Sequence, residues 1–120
     1  MKFTTSLNKN HEFKRLYTKG KNAASKYVVI YSRRNNRPEN RLGVTVSTKV
    51  GGAVQRNRVR RRLKEIYRLN EKDLSAGHDI VIVARVRSRF AGYGELEASV
   101  LNLLKKLGIM HGDTPGGGRQ

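Results

Sequence analysis

Apolar residues recur along this chain with two periods, and the switches between them mark its elements. Phe13, Leu16 and Tyr17 follow one another at helical spacing in "NKNHEFKRLYTKG", with Asn8 or Asn10 able to cap and Gly20 able to stop. This predicts a short helix over residues 9–19. The β-branched and aromatic run "KYVVIYS" predicts a strand over 26–32. After the polar turn "RRNNRPEN" comes "RLGVTVS", where Leu42, Val44 and Val46 alternate with Gly43, Thr45 and Ser47, as a strand with one buried face requires. These two strands most simply form an antiparallel pair.

The pattern then returns to the helical period. In "AVQRNRVRRRLKEIYR", running on to about residue 70, Val59, Leu63 and Ile66 fall within about 60° of one another and form a narrow apolar stripe. The near-continuous apolar run over 80–84 predicts a buried central strand. Leu96, Val100, Leu103, Leu104 and Leu107 predict a last helix that stops at Gly108. The tail 111–120, "HGDTPGGGRQ", has nothing to bury and is expected to be disordered, which leaves 1–110 as a single α+β domain with helices packed on one sheet.

Charge changes this picture of an ordinary small domain. In 120 residues there are 26 Lys and Arg against 9 Asp and Glu, a net charge of +17, and self-repulsion on that scale calls for a polyanionic partner. Nucleic acid, an acidic protein or an anionic membrane would serve. The chain has no cysteine, which excludes disulfides and thiolate metal sites, and its N-terminus lacks the apolar run of a signal peptide. No window approaches the apolar length of a membrane span, so a cytoplasmic protein is expected.

Much of the charge sits on the middle helix. From Lys49 to Arg68 there are eight cations (Lys49, Arg56, Arg58, Arg60, Arg61, Arg62, Lys64, Arg68) and one anion, Glu65, placed to pair with Arg61 or Arg62. Asn57, Arg61, Lys64 and Arg68 follow at intervals of four, three and four, a row opposite the apolar stripe. A merely solvated face mixes signs; this one does not, and six of the eight cations are arginines, whose planar fork fits phosphate bidentately. Just before the helix, Gly51 and Gly52 let backbone approach a ligand where the helix N-terminus exposes unpaired N–H groups. Phosphate-backbone binding is the reading these residues favour.

The spacing of Ser47, Lys49, Gly51, Ala53, Val54, Arg56, Asn57, Arg58, Arg60 and Arg61 resembles the signature of the protein subunit of bacterial ribonuclease P. "EFKRLYTKG", "VVIYS", "RLGVTVS" and "HDIVIVAR" extend the resemblance over nearly the whole chain. Gly52 departs from it, where asparagine is common, as does 85–88, where many relatives have a basic residue and a proline. The resemblance implies a ribosomal protein S5 domain 2-like fold: a four-stranded sheet with three helices in the order α-β-β-β-α-β-α and a left-handed βαβ crossover. The extra strand would lie near 21–25. It also implies a small accessory subunit bound to a catalytic RNA that, with its own Mg2+ ions, removes the 5′ leader of precursor tRNA.

Residue by residue, the resemblance implies that Lys49, Arg56, Asn57, Arg58, Arg60, Arg61, Lys64 and Arg68 bind the RNA subunit. It places the single-stranded leader in a cleft at Phe13, Tyr17, Tyr31 and Ser47. Phe13 and Tyr17 are one helical turn apart, and Tyr31 shares a strand face with Tyr27 and Val29, so an aromatic platform for unpaired bases is physically feasible; aromatics at this spacing also serve as plain core. No catalytic residue, metal ligand or protein-bound cofactor is assigned. His11, His78 and His111 are the only histidines, and no carboxylate pair or nucleophile motif stands out. A ribosomal-type structural RNA-binding protein would share the charge, size and build. A membrane-active protein would need a wide free apolar face, and neither membrane nor DNA is expected as a partner.

Overall fold

The computed structural model describes residues 3–111. Strands and helices run β1 (Thr4–Ser6), α1 (Asn10–Lys19), β2 (Lys21–Ala24), β3 (Val28–Arg34), β4 (Asn40–Thr45), α2 (Ala53–Asn70), β5 (His78–Ala84) and α3 (Tyr93–Lys106). Short 3-10 turns follow α2 at Glu71–Asp73 and β5 at Val86–Phe90. The tail expectation lies outside the described residues beyond His111.

All five strands form one sheet in the order β1-β4-β5-β3-β2. The most apolar strand, β5, is central, as its sequence predicts, with Ile80, Val81 and Ile82 fully buried. Its position corrects the expected pairing of β3 with β4. Both instead pair with β5, β3 antiparallel and β4 parallel, because only a strand apolar on both faces can occupy the middle. The parallel β4–β5 pair is joined through α2, and the short β2 pairs with β3, where a further strand was expected.

One strand goes beyond the expected four. β1, "TTS", carries no apolar pattern, and long-range polar contacts hold it beside β4. Phe3 N–H and Thr4 Oγ1 donate to Glu71 Oε2 at 3.1 and 2.5 Å, and Thr4 Oγ1 lies 2.8 Å from the Tyr67 hydroxyl. Asn40 Nδ2 donates to Tyr67 OH and to Ser75 O, and Asn40 Oδ1 accepts from His78 N–H. Burial raises the Tyr67 phenol above its ordinary value, so it stays protonated within this network.

The sheet separates two hydrophobic clusters. On one face Val59, Leu63, Ile66 and Tyr67 of α2 pack with Leu96, Val100, Leu103 and Leu104 of α3 over Val28, Ile30, Ile80 and Ile82. On the other, Leu16 of α1 packs with Leu7 and Val81. The α1 N-cap is Lys9, with no side-chain cap bond, so neither Asn8 nor Asn10 fills the expected capping role. Gly20 does end the helix, for a steric reason: a Cβ there would stand 2.7 Å from Leu16 O and 2.8 Å from Ser32 O.

Candidate nucleic-acid interface

Two surfaces stand on this frame, and α2 builds the first. Its apolar stripe is locked in the core, which fixes what the other sides present: Asn57, Arg58, Arg61, Lys64 and Arg68 are exposed, and Arg56, Arg60 and Arg62 are half-buried at the flanks. Arg60 Nη1 donates to Asn57 Oδ1 at 2.9 Å, and Arg62 Nη1 donates to Ala91 O at 3.2 Å, a structural contact. Arg56 Nε is buried with no protein partner. Glu65 pairs with Arg68 at 3.6 Å, three residues on, and not with Arg61 or Arg62, since both Arg68 and Glu65 lie on the open side of the helix. Arg58 and Arg61 form no ion pair among the described residues.

The segment leading into α2 is tied down from both ends. Val50 N–H donates to Ser47 O and Gly51 N–H to Thr48 O, while Val50 is fully buried and accepts from Arg89 Nη1 through its carbonyl. Ser47, Thr48 and Lys49 are left exposed beside the helix N-terminus. Gly51 has φ +157°, and a Cβ there would stand 2.9 Å from Gln55 Cβ, so the tight entry into α2 requires glycine.

The second surface is set by the path of α1. It enters at the β1 edge, where Leu7 N–H donates to Leu42 O, and leaves over β3 against Ser32, next to the opposite edge. Leu42, Ile80 and Ser32 are one register row of the sheet, so α1 crosses the strands. On the α1 face this leaves the row Gly43–Val81–Tyr31 on one flank and the row Arg41–Asp79–Arg33 on the other. The first flank is aromatic, the second charged.

On the aromatic flank the predicted residues meet. Phe13 and Tyr17 are stacked at 6.5 Å, and Tyr17 meets Tyr31 edge-on at 4.9 Å. Phe13 and Tyr31 are half-buried against Leu7, Leu16 and Val81, whereas Tyr17 is 42% exposed. Leu16 therefore supplies the core of this helix and the aromatics remain open to a ligand. Phe13 lies so close to β4 that a Cβ on Gly43 would stand 2.6 Å from its Cε1 atom. Tyr27 leaves this group: it packs on the α3 side, with its hydroxyl donating to Glu95 Oε2 at 3.3 Å. It precedes β3, so strand alternation does not govern it.

A groove of about 580 Å3 joins the two surfaces along the sheet edge, lined by Phe13 and 4–8 on one side, 42–45 below, and Arg60 and Lys64 on the other. Ser47 and Lys49 lie outside this lining. Sequence reasoning missed the segment 86–90, where Val86 and Phe90 are exposed and Arg89 stacks over the Phe90 ring at 4.9 Å. Its signal was arginine at every second position, with Val86 and Phe90 between and after, in "RVRSRF".

Acid–base groups are sparse. Burial pushes the His78 imidazole down, so it is neutral at pH 7, and His11 is exposed on α1. Among the described residues no three His, Asp or Glu side chains are grouped to hold a metal, and no helix is long and apolar enough to cross a membrane.

The sequence matches the family model described as Ribonuclease P over residues 1–108. It is 43% identical to the ribonuclease P protein component of Alkaliphilus metalliredigens over 110 residues, covering 92% of this chain and 99% of that protein. With the ribonuclease P protein component of Clostridioides difficile it shares 45% identity over 107 residues, covering 88% and 94%. The fold superposes on the RNase P protein of Staphylococcus aureus with a TM-score of 0.82 at 29% identity, covering 88% and 97%. For that of Thermotoga maritima the TM-score is 0.78 at 30% identity, covering 89% and 98%.

Proposed function

The chain belongs to the ribonuclease P protein family, and from that membership and the geometry above we propose how it works as a subunit of this ribonuclease. It binds the catalytic RNA subunit through α2 and the 5′ leader of precursor tRNA through the aromatic cleft, promoting endonucleolytic removal of the leader. The observation that carries the reading is the division of labour on α2: one stripe is consumed by the core, and Asn57, Arg58, Arg61, Lys64 and Arg68 are exposed on the sides left over.

The chemistry follows from what each surface can do. Guanidinium forks neutralise phosphodiesters and fix RNA in register without reading bases. Lys49, Arg56 and Arg60 extend this contact around the helix N-terminus, where unpaired N–H groups add a favourable field. Phe13, Tyr17 and Tyr31 offer ring faces on which unpaired leader bases stack, worth about 1–3 kcal/mol per base, and the family resemblance adds Ser47, exposed after β4, to the leader contact. Mature tRNA has no leader, so this contact favours substrate over product. Hydrolysis is the work of the RNA subunit with its Mg2+ ions, in the cytoplasm. The protein binds no cofactor of its own.

Protein cations replace part of the counterion screening that two RNAs need to approach each other. Reconstitution at low Mg2+ tests the proposal: adding the chain to the RNA subunit and a precursor tRNA should restore correct 5′ processing that the RNA alone does not perform. Absence of any restoration with a protein that binds neither RNA would refute it.

A further inference from the structure

Phe13 and Tyr17 are carried by a helix that does little to fix its own place. α1 has 10 residues, no side-chain bond at its N-cap, and Leu16 as its buried residue. A helix of that length is marginal in water without outside support. Its position on the sheet therefore depends on the chain at its two ends. At the C-terminal end Gly20 leads straight into β2, which is paired with β3. At the N-terminal end, nearer Phe13, only Leu7, Asn8 and Lys9 separate it from β1.

Leu7 is the fixed point of that link. It is buried, and its N–H donates to Leu42 O at 2.9 Å. Its carbonyl and the Phe13 ring both crowd Gly43, where a Cβ would stand 2.9 Å from Leu7 O and 2.6 Å from Phe13 Cε1. Leu7 and Phe13 thus share one seat on β4, and Leu7 goes where β1 goes.

β1 has little of its own to hold that position. Its residues Thr4, Thr5 and Ser6 bury no apolar side chain, and as an edge strand it pairs with β4 alone. A terminal segment of this kind is poorly ordered unless it is tied down. The tie comes from the end of α2 and the turn that follows it. Glu71 Oε2 accepts from Phe3 N–H at 3.1 Å and from Thr4 Oγ1 at 2.5 Å, and the Tyr67 hydroxyl lies 2.8 Å from Thr4 Oγ1. Bonds to a carboxylate are roughly twice as strong as those between neutral groups. Asn40 N–H donates to Phe3 O at 2.9 Å, so backbone pairing and side-chain tie grip the same two residues. Tyr67 is fully buried, Glu71 is 7% exposed, and neither lines the groove between β1 and α2. An RNA strand in that groove would touch β1 and not the groups that hold it.

We propose that Glu71 and Tyr67 are positioning residues for the precursor leader: through Thr4 they fix β1, β1 fixes Leu7, and Leu7 sets Phe13 on its seat at Gly43. The helix proposed to meet the RNA subunit along one side would then, at its C-terminal end, keep the leader cleft in shape. The inference rests on the proposed leader-binding function and adds to it how the aromatic platform is held.

The test uses Glu71→Ala and Tyr67→Phe. The second keeps the ring in the core and removes only the hydroxyl. Val100→Ala is the control, because Val100 is buried in α3, which packs over β2 and β3 at the other end of the sheet from β1. Affinity for precursor and mature tRNA is measured with the assembled holoenzyme, affinity for the RNA subunit with free protein, and the melting temperature for each variant. In Glu71→Ala the ratio of precursor to mature affinity should fall by roughly five- to a hundredfold, the range set by the stacking of one base on Phe13. Removing an acid from a chain of net charge +17 favours RNA on charge grounds alone, so a weaker hold on the precursor marks lost position and not lost attraction. Tyr67→Phe should lower the ratio in the same direction by less, since Glu71 still holds Thr4. Val100→Ala should lower the melting temperature and leave the ratio unchanged. An unchanged ratio in both Glu71→Ala and Tyr67→Phe, or an equal fall in Val100→Ala, overturns the inference. Should Glu71→Ala fail to fold, Thr4→Val carries the test by removing the shared donor at a half-buried site. Adding Tyr67→Phe to it should then lower the ratio little further, and full additivity of the two would overturn the inference. Phe13→Ala is run alongside: if it lowers the ratio while the positioning variants do not, only this inference falls. If it does not lower the ratio either, the leader-cleft reading falls with it.

Discussion

Gly43→Ala tests the aromatic cleft without altering any residue proposed to touch RNA. The new methyl would stand 2.6 Å from Cε1 and 2.9 Å from Cζ of Phe13, and 2.9 Å from Leu7 O. Ordinary carbon contacts lie near 3.5–4.0 Å, so the ring must retreat by about 1 Å or more. Such overpacking costs about 1–3 kcal/mol of stability. If the platform stacks one leader base through Phe13, a displaced ring also forfeits up to about 1–3 kcal/mol of binding, or roughly five- to a hundredfold in affinity. The assay is the ratio of precursor to mature tRNA affinity in the holoenzyme, read with the melting temperature. The ratio should fall in Gly43→Ala, and it should fall no further when the same change is made in a Phe13→Ala background, since the methyl then has no ring to displace. That non-additivity is the signature of two residues acting through one contact. A lower melting temperature with an unchanged ratio would return Phe13 to a purely packing role.

Two more outcomes follow from the electrostatics. Burial alone would raise the Asp79 carboxyl, but hydrogen bonds from Arg41 and Asn35 outweigh it and hold it below the usual carboxylate range. Its ionised form therefore stabilises the fold fully above the ordinary carboxylate pKa of about 4, and that contribution is lost as pH falls through the lowered value. Asp79→Asn should cost about 1–3 kcal/mol in urea unfolding at pH 7 and converge on the wild type once pH has fallen below the lowered value; a pH-independent difference would contradict this. Separately, with a net charge of +17 the free protein should melt at higher temperature as salt rises from low ionic strength, while its RNA affinity falls over the same range. Parallel trends in the two measurements would show that self-repulsion is not what salt relieves.

What the sequence disclosed, and what it hid, divides along physical lines. The stripes of α2 and α3 and the central place of β5 are local patterns, since period and apolar run length report burial wherever the element docks. Tyr67 escaped because it sits one residue beyond the stripe Val59–Leu63–Ile66 and was not needed to complete it, yet it is fully buried. β1 left no trace because Thr4, Thr5 and Ser6 are polar; their strand depends on Glu71 and Tyr67, more than sixty residues away. The pairing of β3 with β4 was wrong because a short polar turn suggests a hairpin, and only the demand of β5 for two buried faces separates them. Phe13 and Tyr17 declared themselves by their spacing; that Tyr31 joins them, and that Gly43 makes room, are facts of the folded sheet. The arginines of "RRNNR" were legible only as a loop, because a sequence does not say that Glu12 and Asp79 will be held by Arg41.

The route of α1 explains why one small sheet can carry two unlike flanks. A helix crossing the strands needs burial only along its own line, which Leu16 over Val81 supplies, and it leaves the rows on either side free to differ. Towards Tyr31 the row is apolar, so the proposed leader contact would set unpaired bases on ring faces. Towards Arg33 the row is charged and offers an aromatic base no ring. In the proposed leader contact the recognised feature is the π-face, which is common to every nucleotide. A surface composed in this way discriminates by strandedness and position and not by base sequence, which suits a subunit that must accept many precursors sharing only the presence of a leader.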